Sequence, residues 1–482
     1  MTFPLTVSQL AEITHGVPTD SRYGQQRVAG VSIDSRTIAS GDCFFALNGN
    51  RTHGVLFADQ AIARGAVCVI TDSAASNTMR ASTTAFTPSL AALDSAETDG
   101  RIIRVEHAVV ALQSLGRWNR QQSGAVVIGV TGSVGKTTTR QMITQVLAAR
   151  FSGVQSQHNY NNELGVPLAM LQLKPEHDFA VLELAAGKIG DIAFLAEMVR
   201  PEFAVVTCVA PTHLEAFGDL EAIRQAKMEL PAAVTDGGTV FLNADDPAVV
   251  SMSQSTAADI VLFGTSAAAN FRATSIDSRD GICQFKVEAQ SFQIQGGAHL
   301  VTGAVAAIAV GRIAGLSLSE IAQALADYQP DAGRGRIVQR QPWTVIDETY
   351  NASPASVLAA IQTLNACVSA RSRILVLGDM LELGPQAIHY HRNVGRALEN
   401  SQIDHALICG EFADDVAAGA IAAGVSANRI SVFRDCSTLC AMLDCVLSPG
   451  DAVLVKGSRS MHMERVITSL CATESPARRA AA

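Results

Sequence analysis

Charge is scarce in this 482-residue sequence. Asp, Glu, Lys and Arg make up 17% of it, against about 25% in ordinary soluble domains. With 48% hydrophobic residues, the bulk of the chain can bury a core, which excludes disorder. The charge that remains leans one way: 36 basic against 45 acidic residues, a net of −9. Such a surface has no general grip on nucleic acid or anionic membrane, so any phosphate must be held at a local site. Long apolar runs are missing too. The nearest stretch, His299 to Gly315, is broken by Thr302, Gly303 and Arg312 and falls short of the roughly 18 residues a membrane span needs. No basic segment precedes an apolar core at the N-terminus, so no secretory signal is expected and the chain is read as cytoplasmic. The ten cysteines contain no CxxC pair. They read as free buried thiols, as at Cys208 and Cys409, rather than as disulfides or a zinc site. Cys436 and Cys440 are the one helix-spaced pair, with no further His or Cys at ligand spacing.

What is present is a repeating α/β texture long enough for about three domains at roughly 150 residues each. Residues 1–104 read as a small α/β domain, with 72–100, rich in Ala, Ser and Thr, as a flexible insertion. Residues 105–330 read as a central domain of apolar strands (125–130, 179–184, 203–209, 239–242) separated by helices, the pattern of a parallel sheet covered on both faces. Residues 331–482 repeat the pattern as a Rossmann-like, doubly wound domain ending in a frayed tail.

The strongest local signal is Thr131-Gly132-Ser133-Val134-Gly135-Lys136-Thr137-Thr138, set between a buried strand and an amphipathic helix. Glycines there let backbone N–H groups turn onto phosphate oxygens, the helix N-terminus adds positive charge, Lys136 can reach the β/γ phosphates and Thr137 can ligate magnesium. Val130 replaces the first glycine of the full P-loop pattern. Glu183 is the one ionisable residue in an apolar run, a costly position unless the carboxylate is paired or metal-bound. His213 follows the next strand on the same rim, and Thr137, Glu183 and His213 together suit a magnesium site. Lys227, in the helix 220–230, reads by itself as a solvated helix position. Asp347, Asp379 and Lys456 each close a strand in the last domain, a polar rim expected to face a ligand.

In order along the chain stand TGSVGKTT (131–138), HNYNNELGVP (158–167), HLEAFG (213–218), YNASP (350–354) and KGSRSM (456–461), preceded by Asp34-Ser35-Arg36 and FFALNG (44–49). The set resembles the Mur ligases over essentially the whole chain, and YNASP and KGSRSM resemble the branch that adds a dipeptide rather than one amino acid. The resemblance implies an ATP-dependent ligase of cell-wall precursor synthesis that joins D-Ala-D-Ala to UDP-MurNAc-tripeptide through an acyl phosphate, acting as a monomer with ATP and Mg²⁺. It implies magnesium contacts from Thr137, Glu183 and His213, and a carbamylated Lys227 holding a second magnesium. Arg336 and Asp347 would meet ATP, Ser35 and Arg36 the uridine nucleotide, and Asn159, Asn162, Tyr350, Asn351 and Lys456 the substrates. The alternatives are a sister ligase adding one amino acid and a non-catalytic Mur-like nucleotide-binding protein. Departures from the family pattern are Leu184 to Lys188 after the glutamate, Cys208 in place of an asparagine, and Leu300 and Gly303 where an adenine-side motif carries two amides.

Overall fold

The computed structural model describes residues 5–49, 52–73, 100–157, 159–340 and 342–472. Residues 74–99 of the expected insertion, His158 and the tail 473–482 lie outside them. The chain packs as two compact units: residues 1–129, 151–185 and 193–202 form the first, and residues 130–150, 186–192 and 203–482 the second.

In the first unit a five-stranded sheet runs in the order Val17–Pro18, Ile102–Val105, Cys68–Asp72, Asp42–Phe45, Gly30–Ser32. All neighbours are parallel except the edge pair of Val17–Pro18 with Ile102–Val105. Alternation along Asp42–Phe45 sends Phe45 into a core with Leu10, Ile70, Ile103, Leu112 and Leu115, and Phe44 into another with Ala58, Ala61 and Val69. Both faces are therefore covered. Strand Phe179–Glu183 also lies in this unit, paired parallel with Gly153–Gln155 and buried at every residue, which sets Glu183 at the C-terminal end of an apolar strand.

In the second unit Phe203–Val206, Thr239–Asn243, Asp259–Gly264 and the start of Phe271–Arg279 pair in parallel. The sheet then turns antiparallel through Ile282–Val287 and Gln290–Gln295. These last strands alternate buried and exposed residues. A search for doubly apolar strands passes over them, because a half-covered antiparallel strand needs only every second residue apolar. Strand 203–206 stops short of the expected Val209, since the next two residues bind the phosphate-type loop. Helix Val301–Ile313, the most membrane-like stretch, is a buried helix packed on Lys136–Ala148. Among the described residues no helix is long and apolar enough to cross a membrane.

A second sheet of this unit has the order Arg336–Arg340, Trp343–Glu348, Ala452–Lys456, Arg373–Leu377, His405–Cys409, Ile430–Phe433. It is parallel but for the first hairpin. The architecture is thus α/β with parallel sheets, as expected. None of the ten cysteines, all of them among the described residues, is in a disulfide. The expectation of burial holds at Cys43, Cys68, Cys283, Cys367 and Cys409, is met only in part at the half-buried Cys208, Cys436, Cys440 and Cys471, and fails at Cys445, which is exposed.

Candidate active site

The loop 131–138 is built by contacts no local rule supplies. Gly132 has φ +142°, and a Cβ there would sit 1.9 Å from Thr207 Oγ1. Only glycine fits so close an approach. Thr207 Oγ1 donates to Val134 O at 2.6 Å, Ser133 N donates to Cys208 O at 2.8 Å and Ser133 Oγ to Ala210 O at 2.9 Å. Val134 N reaches Cys208 Sγ at 3.4 Å. The residue in the family's asparagine position thus still supports the loop, through sulfur, and burial pushes its thiol pKa up. Gly135, at φ +84°, opens helix Lys136–Ala148, with Thr137 and Thr138 buried in its first turn. Lys136 Nζ folds back to donate to Gly132 O at 2.8 Å and Ser133 O at 3.2 Å. The loop is a cradle of amides and one ammonium, the chemistry of a nucleotide phosphate site.

Lys227 corrects the sequence reading most sharply: it is 4% exposed, not solvated. In helix Leu220–Ala232 it lies on the buried stripe with Ile223, Ala226 and Leu230, a spacing of three, four and seven that periodicity could have revealed. Burial, and then the nearby charge of Lys136, lower its pKa from 10.5 to about 7. The ring of Phe217 stands 5.7 Å from its Nζ. A lysine of this kind is neutral and nucleophilic at pH values where ordinary lysines are not.

His213 adopts φ +53°, and its Nδ1 meets a carboxylate oxygen of Glu382. Glu382 O also accepts from Glu215 N at 3.2 Å. Asp347 is buried and wholly engaged: Gly333 N donates to Oδ2 at 2.8 Å, and Thr349 N and Oγ1 donate to Oδ1 at 3.2 and 2.6 Å. Its work in this structure is to shape the Gly333–Arg336 turn, whose Arg334 stacks 3.7 Å above Tyr350. Arg336 is exposed, in register with Asp347. Lys456 Nζ is buried, donating to Glu348 Oε2 and to Asn351 O, each at 3.0 Å. It therefore holds the YNASP turn. Asp379 departs from the expected open rim, because its carboxylate accepts from Glu411 N at 2.8 Å and Phe412 N at 3.1 Å. His299 Nδ1 lies 3.1 Å from Thr363 Oγ1. Leu300 is buried, and a Cβ on Gly303 would come within 2.9 Å of Thr139 Oγ1. The two positions that lack amides are packing positions here.

In the first unit, Glu183 is buried and accepts from Asn161 Nδ2 at 3.0 Å. Asn162 Oδ1 accepts from Gly165 N at 3.0 Å, and Asn159 is exposed. The Ser35 hydroxyl donates to Gln60 at 2.7 Å. Exposed Arg36 forks onto Asp34 at 2.7–3.1 Å, holding that carboxyl at about 2. Sequence reasoning missed Asn161, Thr207, Glu348 and Glu382. Glu348 was findable, since it follows Asp347 and pairs in register with Lys456. The other contacts span 22 to 169 residues and carry no local signal. Among the described residues no group of three His, Cys, Asp or Glu side chains stands ready to hold a metal.

Three family descriptions match the chain: "Mur ligase family, catalytic domain" over residues 27–118, "Mur ligase middle domain" over 130–311 and "Mur ligase, glutamate ligase domain" over 333–459. The UDP-N-acetylmuramoyl-tripeptide–D-alanyl-D-alanine ligase of Mycobacterium tuberculosis is 34% identical over 98% of both chains. Among solved structures, MurF from Acinetobacter baumannii superposes with a TM-score of 0.83 at 28% identity, covering 98% of this chain and all of that one. The MurF ligase of Thermotoga maritima in complex with ADP gives 0.76 at 26% identity, covering 91% and 96%.

Proposed function

This chain belongs to the Mur ligase family, and from that premise we propose that it is an ATP-dependent C–N ligase joining D-alanyl-D-alanine to UDP-N-acetylmuramoyl-tripeptide. The observation that carries the reading is likeness along the whole chain to a ligase of that name, at 34% identity over 98% of both sequences. The cradle at 131–138 and the low-pKa Lys227 give it chemical means.

The terminal carboxylate of the tripeptide attacks the γ-phosphorus of ATP and ADP leaves, giving an acyl phosphate. The dipeptide amine attacks the acyl carbon, and the tetrahedral adduct expels phosphate. Loop amides and Lys136 neutralise charge on the transferring phosphoryl group, where catalysis of such steps mostly resides. Lys136 must release its two loop carbonyls to do so. For magnesium the family resemblance names Thr137, Glu183 and His213, of which Thr137 and Glu183 carry the hard oxygen donors that ion prefers; bound magnesium would polarise the phosphoryl oxygens. Neutral Lys227 can add CO₂ and release one proton to solvent, which converts an amine whose cation Lys136 repels into an anion attracted to Lys136 and able to supply oxygen ligands. On this reading residues 1–104 bind the uridine nucleotide, through Ser35 and Arg36. Residues 105–330 bind ATP. Residues 331–482 bind the dipeptide through Tyr350 and Asn351, with Lys456 positioning them, and close on ATP through Arg336 and the turn that Asp347 shapes.

The test is phosphate release by the purified full chain. Release requires ATP, UDP-MurNAc-tripeptide and D-Ala-D-Ala together. Release with neither acceptor substrate, or equally with single amino acids, defeats the assignment.

A further inference from the structure

The second unit carries two thiols that ligation does not use. Asp435 caps helix Cys436–Val446, accepting from Thr438 N at 2.8 Å, and the spacing of four puts Cys436 and Cys440 on one face. Their sulfurs lie 4.0 Å apart. With Ser437, Arg465, Thr468 and Ser469 they line an open cavity of about 400 Å³, while their inner sides pack on the core of Val376, Leu407 and Val453. Burial, and then Cys440, push the Cys436 thiol up to about 12, so at neutral pH that thiol rests protonated and slow in exchange.

The geometry disfavours a disulfide. Side chains four apart on a helix have Cβ atoms about 5–6 Å apart, whereas a disulfide needs about 3.5–4.5 Å, so oxidation would unwind the turn. A bridging ion suits the pair better: with metal–sulfur bonds of about 2.3 Å, one ion joins two sulfurs at any separation up to about 4.6 Å. Zinc asks for four ligands, and among the described residues no third His, Cys, Asp or Glu completes a set. A soft ion content with two thiolates is cuprous copper.

We propose that Cys436 and Cys440 form a dithiol site for one Cu(I) ion. Two S–H bonds break, two Cu–S bonds form, two protons pass to solvent and no electron moves. The bis-thiolate complex carries one negative charge, and the guanidinium of Arg465 on the same wall offsets it.

The test is anaerobic titration of the reduced full chain with Cu(I) against a colorimetric cuprous chelator. One equivalent is retained by the wild type and by a Cys445→Ser, Cys471→Ser double variant, and none by Cys436→Ser or Cys440→Ser, whose phosphate release stays unchanged. X-ray absorption on the wild-type copper protein, which needs no variant, shows two sulfur neighbours alone. Retention equal in wild type and Cys436→Ser, loss from the Cys445/Cys471 variant, or nitrogen or oxygen bound to the copper would each overturn the site.

Discussion

Replacing Lys227 by methionine keeps the length of the side chain and removes its amine, and the structure sets what should follow. The pKa of Lys227 falls from 10.5 to about 7 on folding. Between those values the unfolded chain holds a proton that the folded chain lacks, so this group's contribution to stability rises with pH across that window. Below pH 7 the folded protein carries a buried cation, at a cost of 3.5 pKa units, or about 5 kcal/mol at 1.36 kcal/mol each. Lys227→Met should therefore be more stable than wild type at pH 6, by up to about 5 kcal/mol, and the gap should close by about pH 10.5. Denaturant unfolding of both proteins in CO₂-free buffer across that range measures it. A variant less stable at pH 6, or a gap independent of pH, would show that Lys227 is a well-paired cation and refute the argument. The same shift governs reactivity. At pH 8 about 90% of an amine with pKa 7 is neutral, against about 0.3% at pKa 10.5, a roughly 300-fold gain in the form that adds CO₂. Wild type in ¹³C-bicarbonate should show a carbamate resonance that Lys227→Met lacks. Turnover should fall at least about a hundredfold in the variant, comparable to losing one transition-state donor, and added bicarbonate should not restore it. Unchanged turnover removes the carbamate role.

Gly132→Ala forces a methyl into Thr207 Oγ1; ATP binding by calorimetry should be lost while far-ultraviolet circular dichroism stays native, and retained binding would show that the loop can yield. Lys456→Met leaves Glu348 buried without its cation and should cost about 3–5 kcal/mol in denaturant unfolding, with a raised KM for the dipeptide; a neutral effect would mean that water reaches the pair. Arg36→Ala removes a surface pair with Asp34, so the unfolding midpoint should hold while KM for the uridine substrate rises, and an unchanged KM would place the nucleotide elsewhere.

Much of the site was legible because its signals are local. A glycine-rich turn between an apolar strand and an amphipathic helix has few other readings, and Glu183, alone among apolar residues, had to be held by something. Asn161 turned out to hold it. The strand ends Asp347 and Lys456 were found by position, yet their roles were not. A carboxylate at a strand end looks the same whether it awaits a ligand or, like Asp347 and Asp379, already accepts backbone N–H groups. Lys227 was misjudged because a single lysine among helix residues is usually solvated, and the stripe it shares with Ile223, Ala226 and Leu230 was outweighed by its charge.

Sequence alone determined the α/β class, the order of the motifs, the phosphate cradle and the family, because strand burial, glycine freedom and helix starts depend on residues within a few positions of one another. Tertiary structure decided the rest. The support of Thr207 and Cys208 beneath the loop, the meeting of His213 with Glu382, the buried Lys456–Glu348 pair and the depressed pKa of Lys227 all arise between residues far apart in the chain. Their energies come from desolvation and from charges brought close, and neither exists until the chain has packed.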